Sequence, residues 1–200
     1  MPWIAPHHND HKPRIVGLAL LSKATNTSEG ILNFAVGDAT QPYGAGKRLI
    51  AHIVNDRSFI WGAGFGRAVR KRWPQVQADF RRWALSHQKE FRLGKVHSFD
   101  IDDELAVVHM IAQHGFGPSK TPRIRYEALR CCLDNVAEMA IRTKASIHMP
   151  RIGCGEAGGT WSIVRELINE TILYKGISVS IYDLAGRPFQ GSVQTTLFGG

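Results

Sequence analysis

The sequence predicts an α/β fold, and three observations carry that reading. Short apolar runs alternate with segments whose apolar residues recur at helical spacing through most of the chain. The run ELAVVHMIA, ending at Ala112, is apolar almost throughout, as a central strand covered on both faces must be. Two glycine-rich connections, Trp61–Gly66 and Arg151–Gly159, each link a strand candidate to a helix candidate. The 200 residues suit one domain and can bury a full core without staples.

Each element follows from local chemistry. Arg14–Leu21 is apolar enough for a strand or a short helix, and Lys23–Gly30 reads as a loop by its turn residues. Ile31–Val36, closed by Gly37, predicts a buried strand; Gln41–Lys47 is a loop and Leu49–Val54 a second strand. A helix is expected from near Phe65 to Trp73, where Pro74 stops it. Pro74 in turn can open the next helix, because the first turn does not use the amide hydrogen that proline lacks. That helix carries Val76, Phe80 and Trp83 at helical spacing. Lys95–Phe99 and Leu105–Ala112 read as strands around the acidic turn Asp100–Glu104. Thr121 and Pro122 look like an N-cap and first helical position. Tyr126, Leu129, Leu133, Val136 and Ala140 then form one apolar stripe. Ala145–Met149 is a short strand. Thr160 is placed to cap a last helix whose Trp161, Val164, Ile168 and Ile172 share a face, and Ile177–Leu184 is the final strand. Residues 1–29 read as an N-terminal extension, 30–184 as the domain, and 185–200 as a flexible tail.

Composition excludes several classes. At 44% hydrophobic and 21% charged the chain is expected to fold, and no apolar run approaches the ~20 residues of a membrane helix. The start, rich in Pro and His, lacks a basic-then-apolar signal pattern, so a cytoplasmic location without membrane association is expected. Cys131, Cys132 and Cys154 do not form a disulfide framework, and no zinc spacing occurs. His7, His8 and His11 read as a solvated tail before a loose chelator. Neither a metal nor a cofactor is expected. The net charge of +8 is concentrated: Arg67, Arg70, Lys71, Arg72, Arg81, Arg82, Lys89, Arg92 and Lys95 face only Asp79 and Glu90 within residues 62–95. Such a segment is a solvated helix face or a contact for an anionic partner, nucleic acid or nucleotide among them.

The glycine-rich loops bear the chemistry. Glycine lets backbone approach a ligand closely, and consecutive amides running into a helix N-terminus make an anion site. Two such loops at strand ends can grip a diphosphate, or each can be a tight structural turn. Neither matches a P-loop, since no Gly-Lys-Ser/Thr follows, and neither lies in a first βαβ unit as a dinucleotide fingerprint would. Asp38, in Gly37-Asp38-Ala39-Thr40, can accept a hydrogen bond from an adenine amino group or cap its own turn.

Taken together, GDAT at Gly37–Thr40, LIAHIVND at Leu49–Asp56, WGAGFG at Trp61–Gly66, MPRIGCG at Met149–Gly155 with Trp161 six residues on, and IYDL at Ile181–Leu184 resemble the macrodomain family. The resemblance covers about Ile31 to Leu184. It points to the branch typified by terminal ADP-ribose protein glycohydrolase and the ALC-type macrodomains. It implies a three-layer α/β/α sandwich around a mixed sheet of about six strands, and ADP-ribose as the ligand. It places Asp38 and Ala39 at the adenine, with Tyr182 and Leu184 bordering it, and Asn55 at the distal ribose. Trp61, Gly62, Ala63, Gly64, Phe65 and Gly66 resemble one phosphate and ribose loop. Arg151, Ile152, Gly153, Cys154, Gly155, Glu156, Ala157 and Gly158 resemble the other.

Two departures bear on activity. Gln113 and His114 stand near the position of that glycohydrolase's lysine, and Ala157 occupies the place of its aspartate, so a lysine–aspartate mechanism does not transfer. A similar branch with a Gln-containing loop removes mono-ADP-ribose from acidic side chains, which implies direct attack by water. Asn55 and Asp56 would then orient ribose and water, Gln113 or His114 would cover the distal ribose, and Glu156 would serve as a polar helper or simply favour a helix end. The alternatives are a non-catalytic ADP-ribose reader and an ADP-ribose 1″-phosphate phosphatase; the target is protein or nucleic acid. Cys154 at a helix entry is a nucleophile if its thiol is acidified, and otherwise a small packing residue. In the tail, Gln194-Thr-Thr-Leu-Phe198 resembles the peptide by which bacterial proteins dock onto the sliding clamp, or is a disordered end.

Overall fold

Leu105–Gln113 (β4) lies between two other strands of the sheet, and Ala106–Ala112 are all buried, as its nearly continuous apolar run requires. The computed structural model describes residues 28–186. The readings of Arg14–Leu21, of His7, His8 and His11, and of Gln194–Phe198 lie outside the described residues. The remaining strands are β1 (Leu32–Val36), β2 (Arg48–Asn55), β3 (Val96–Asp100), β5 (Ser146–Pro150) and β6 (Val179–Asp183). They form one six-stranded sheet in the order β1-β6-β5-β2-β4-β3. Every neighbouring pair is parallel except β3 with β4. Helices α1 (Gly64–Arg72) and α2 (Pro74–Ser86) cover one face, and α3 (Tyr126–Thr143) and α4 (Trp161–Thr171) the other. This is the expected α/β/α sandwich with a mixed sheet. No helix among the described residues is long and apolar enough to cross a membrane.

The two cores differ in character. On the α3/α4 face Leu129, Leu133, Val136, Val164 and Ile168 pack on Ile147, Met149 and Ile181, all fully buried. Each such side chain contributes about 1.5–3 kcal/mol of burial energy. On the α1/α2 face Val69, Val76 and Phe80 meet Ile50, Val107 and Ile111. There the strands also turn inward a row of histidines. His52 Nε2 and His109 Nδ1 are 2.7 Å apart, and the His97 ring stacks 5.9 Å from His109. His97 Nε2 meets Asp79 Oδ2 of α2 at 2.8 Å.

Three sequence readings are corrected. Ile31–Val36 does not make a buried strand. β1 is the sheet edge, paired only with β6, and Phe34 and Val36 are exposed. Thr121-Pro122 does not start a helix: α3 begins at Tyr126. The preceding backbone is held extended by tertiary bonds, with the Arg123 and Ile124 amides donating to the Ala157 carbonyl and the Arg125 amide to the Ala112 carbonyl. Thr160 does occupy the N-cap position of α4, yet its side chain makes no capping bond.

Candidate functional site

The five parallel strands run in one direction, so the loops leaving their carboxyl ends gather at one edge of the sheet. Asp38 follows β1. Asn55 ends β2, with Asp56 and the first glycine loop after it; Gln113 ends β4 and His114 follows; the second glycine loop follows β5, and Leu184 follows β6. Open α/β sheets take their ligands at this edge.

The first loop feeds α1. Its Trp61 turns the side chain into the core, which leaves only its backbone for the loop's outward face. The indole is buried, with its ring centroid 5.4 Å from Phe80 and 4.9 Å from His109, and so anchors the loop to the core. Ala63 stands at the N-cap without a side-chain bond, and no acidic residue occupies the first turn. The amides of Gly64, Phe65 and Gly66 therefore keep the donor capacity that a helix start presents to an anion. Arg67, Arg70, Lys71 and Arg72 follow on the same helix with no carboxylate, which raises the positive field there.

The second loop is compact, with the Gly159 amide donating to the Gly153 carbonyl at 2.7 Å. Gly153 has φ +74°, and a Cβ on it would lie 2.4 Å from Ile124 Cδ1, so the fold itself requires glycine there. Ile152 and Ala157 turn their side chains into the core, which leaves backbone as their outward face. The two loops meet where a Cβ on Gly64 would be 3.5 Å from Glu156 Cγ. Gly62 and Gly155 are different. Neither has positive φ, and a Cβ on either would find no protein atom within 4 Å. The fold does not demand glycine at these two positions, and their backbone is open to approach from outside.

Toward β1 and β6, Asp38 Oδ1 accepts the Thr40 amide at 2.8 Å, the turn-capping role, and Ala39 is buried. Tyr182 turns inward and does not border the edge. Its hydroxyl pairs with His148 Nδ1 at 2.9 Å and accepts the Tyr43 amide at 3.1 Å, beneath the Tyr43 ring. Leu184 remains exposed at the edge. Arg151 makes two 2.7 Å bonds to the Asp183 carboxylate and lies over the rings of Phe34 and Trp161. Sequence reading missed Asp183 as its partner.

The strand ends of β2 and β4 hold the polar cluster. A bulge in the pairing places Asn55 opposite Gln113. Asn55 Oδ1 accepts the Arg57 and Ser58 amides, so only its Nδ2 remains to donate. Asp56 Oδ2 meets His114 Nδ1 at 2.8 Å and Oδ1 accepts the Gly115 amide at 2.9 Å. Burial alone would raise the Asp56 carboxyl, but the Gly115 amide and His114 together hold it below its ordinary value. With the Asp56 side chain 12% exposed and that of His114 41%, the carboxylate orients and the imidazole is presented outward. Gln113 Nε2 donates to the Gly115 carbonyl at 2.8 Å. Burial pushes the Cys154 thiol up to about 11, which disfavours the thiolate that a nucleophile needs.

Two cavities adjoin these elements unequally. One of about 580 Å³ lies between Glu29 and the C-terminal end of α4, and gathers none of these groups. Another, of about 400 Å³, opens beside Glu156. Chemistry rather than volume selects the second as part of the site.

Comparison with known proteins agrees with this architecture. A macrodomain protein from Streptomyces coelicolor is 42% identical, with 76% of this chain and 98% of that one covered at a TM-score of 0.67. A Bacteroides thetaiotaomicron protein of unknown function is 44% identical, over 78% of this chain and 99% of that one, at a TM-score of 0.73. The chain belongs to the macrodomain family. The mouse chromodomain-helicase-DNA-binding protein 1-like is 31% identical over 76% of this chain, which spans only 17% of that protein's length. Thermosipho africanus DarTG, solved in complex with ADP-ribose, shares the fold at 21% identity and a TM-score of 0.58, with 72% of this chain and 39% of that one covered. No family model matches the chain.

Proposed function

We propose that this macrodomain binds ADP-ribose and hydrolyses the bond joining mono-ADP-ribose to acidic side chains of proteins. The observation that carries the binding is the pair of open glycines, Gly62 and Gly155, on two amide-rich loops that converge at Glu156. A diphosphate fits that geometry, with donors from both loops and the positive end of α1 behind it. Asp38 keeps a second carboxylate oxygen for the adenine amino group, and Asn55 Nδ2 reaches the distal ribose. The complex of DarTG with ADP-ribose supports the choice of ligand.

The Asp56–His114 pair supports catalysis. Asp56 holds His114 through Nδ1, so Nε2 is the nitrogen offered to an attacking water. The water oxygen bonds to the ribose anomeric carbon while the carbon–oxygen bond to the acyl group breaks. The side-chain carboxylate leaves with the electron pair, and the water proton passes to Nε2 and then to solvent. Asp56 is a positioning residue and His114 the proton acceptor; Gln113 and Glu156 flank the sugar.

The test is release of ADP-ribose from glutamate-linked substrate beside calorimetric binding of free ADP-ribose. His114→Gln should retain binding and lose roughly 10²-fold or more in turnover, the usual worth of a general base. Binding by the wild type without release from any linkage would leave a reader in place of the hydrolase. Normal binding by Asp38→Ala would show the adenine site to be misplaced.

A further inference from the structure

The site continues past Glu156 into an open hollow. The loop between β4 and α3 folds back on itself: Gln113 and Ile124 form an antiparallel bridge, and the His114 amide donates to the Arg123 carbonyl at 2.8 Å. The Arg123 side chain braces it from inside, with Nε donating to the Gly117 carbonyl and Nη2 to the Pro118 carbonyl, each at 2.9 Å. Nη1 reaches the His114 carbonyl at 3.2 Å. The Arg123 amide bonds to the Ala157 carbonyl at 2.8 Å, which ties this loop to the second glycine loop. The cavity of about 400 Å³ lies between them, with Ser119, Lys120 and Thr121 on one side and Glu156 and Gly158 on the other.

Position and charge say what enters. Glu156 belongs to both the cavity wall and the junction of the glycine loops, so whatever fills the cavity abuts the sugar end of a bound ADP-ribose. Lys120 stands exposed at the rim and forms no ion pair among the described residues. A nucleic-acid strand, charged at every nucleotide, needs a row of cations, and this wall offers one ammonium, a guanidinium already spent on carbonyls and the Glu156 carboxylate on the opposite side. A single carboxylate beside a polypeptide backbone suits it better.

We propose that this cavity is an acceptor subsite: it seats the polypeptide segment carrying the ADP-ribosylated side chain, with Lys120 pairing to a second acidic residue of that segment. The proposal rests on ADP-ribose binding between the glycine loops. It names the substrate class as acidic protein segments rather than free ADP-ribose or nucleic acid.

The experiment compares the full-length protein's affinity for free ADP-ribose with that for two peptides bearing ADP-ribose through a non-hydrolysable linkage, one with a neighbouring glutamate and one with a neighbouring lysine. The glutamate peptide should bind at least fivefold tighter than free ADP-ribose and than the lysine peptide. Lys120→Glu should erase that gain while leaving free ADP-ribose affinity and the melting temperature unchanged, and Lys120→Gln should give an intermediate loss. Should both peptides bind like free ADP-ribose, with Lys120→Glu changing nothing, the subsite is refuted while ADP-ribose binding stands. Absence of free ADP-ribose binding overturns the functional reading and the subsite with it. An ADP-ribosylated oligonucleotide that gains as much from Lys120 as the glutamate peptide would overturn the choice of polypeptide.

Discussion

Acid should unfold this protein early, and the buried histidines say by how much. Burial lowers His52 to about 3 and His148 to about 4, the latter helped by the charge of Arg48. His109 is also pushed well below its ordinary value, by burial and then by His52 and His97. Each is neutral in the folded state, whereas the unfolded chain takes up a proton near pH 6.5. A folded pKa below the unfolded one means the unfolded state binds more protons, so stability rises with pH and is lost as pH falls below 6.5. One such group costs about 1.4 kcal/mol per pH unit until its folded pKa is reached. Between pH 7 and 5, His52 and His148 together remove about 4 kcal/mol, and His109 adds in the same direction. That is a large share of the 5–15 kcal/mol typical of a domain. The lowered carboxyls of Asp56 and Asp79 do not enter this window, because their ordinary value is 3.8. Urea unfolding followed by tryptophan fluorescence at pH 7.5, 6 and 5 reads the effect directly. His148→Gln should flatten the pH slope by about one proton. Equal midpoints from pH 7.5 to 5 would refute the buried neutral imidazoles.

Four other outcomes follow from single positions. Gly155→Val should leave the melting temperature unchanged, since its Cβ meets open space, and weaken ADP-ribose binding at least tenfold by calorimetry. Gly153→Ala should instead destabilise by about 2 kcal/mol in urea unfolding, because its φ of +74° and the Ile124 contact both penalise a Cβ. Arg151→Met removes two bonds to a carboxylate and should cost about 1–3 kcal/mol of stability in the same assay. Iodoacetamide at pH 8 should modify exposed Cys131 and spare Cys154, whose thiol burial has raised to about 11, as mass spectrometry would register.

Much of the architecture was legible because its signals are local. The 3.6-residue stripe from Tyr126 to Ala140 gives α3, Pro74 gives the break between α1 and α2, and the nearly continuous run before Gln113 gives the doubly covered β4. Where the reading failed, a distant partner decided. Thr121-Pro122 has sound helix-start chemistry, but the carbonyls of Ala112 and Ala157 hold the following residues extended. Ile31–Val36 is apolar enough for an interior strand, and only the sheet order makes it an edge. His52 was within reach of pattern alone: it lies two residues from both Ile50 and Val54, on the same inward parity.

The site shows the same division more sharply, and the β2/β4 bulge explains it. The glycine loops are visible in the sequence because glycine is itself the signal. The Asp56–His114 pair is not, since it joins residues 58 apart through the register of two strands. From Arg48 to Val54 that register is regular; then Val54 pairs with Ile111 and Asn55 with Gln113, so Ala112 is an extra residue on β4. One inserted residue breaks the alternation that assigns side chains to faces. Without it Asp56, not Asn55, would stand opposite Gln113, and the Asp56 carboxylate would have no reason to meet both the imidazole of His114 and the amide of Gly115. The bulge converts a strand end into an oriented carboxylate–imidazole pair. No count of period along either strand reports it, because the defect lies in how the two are paired.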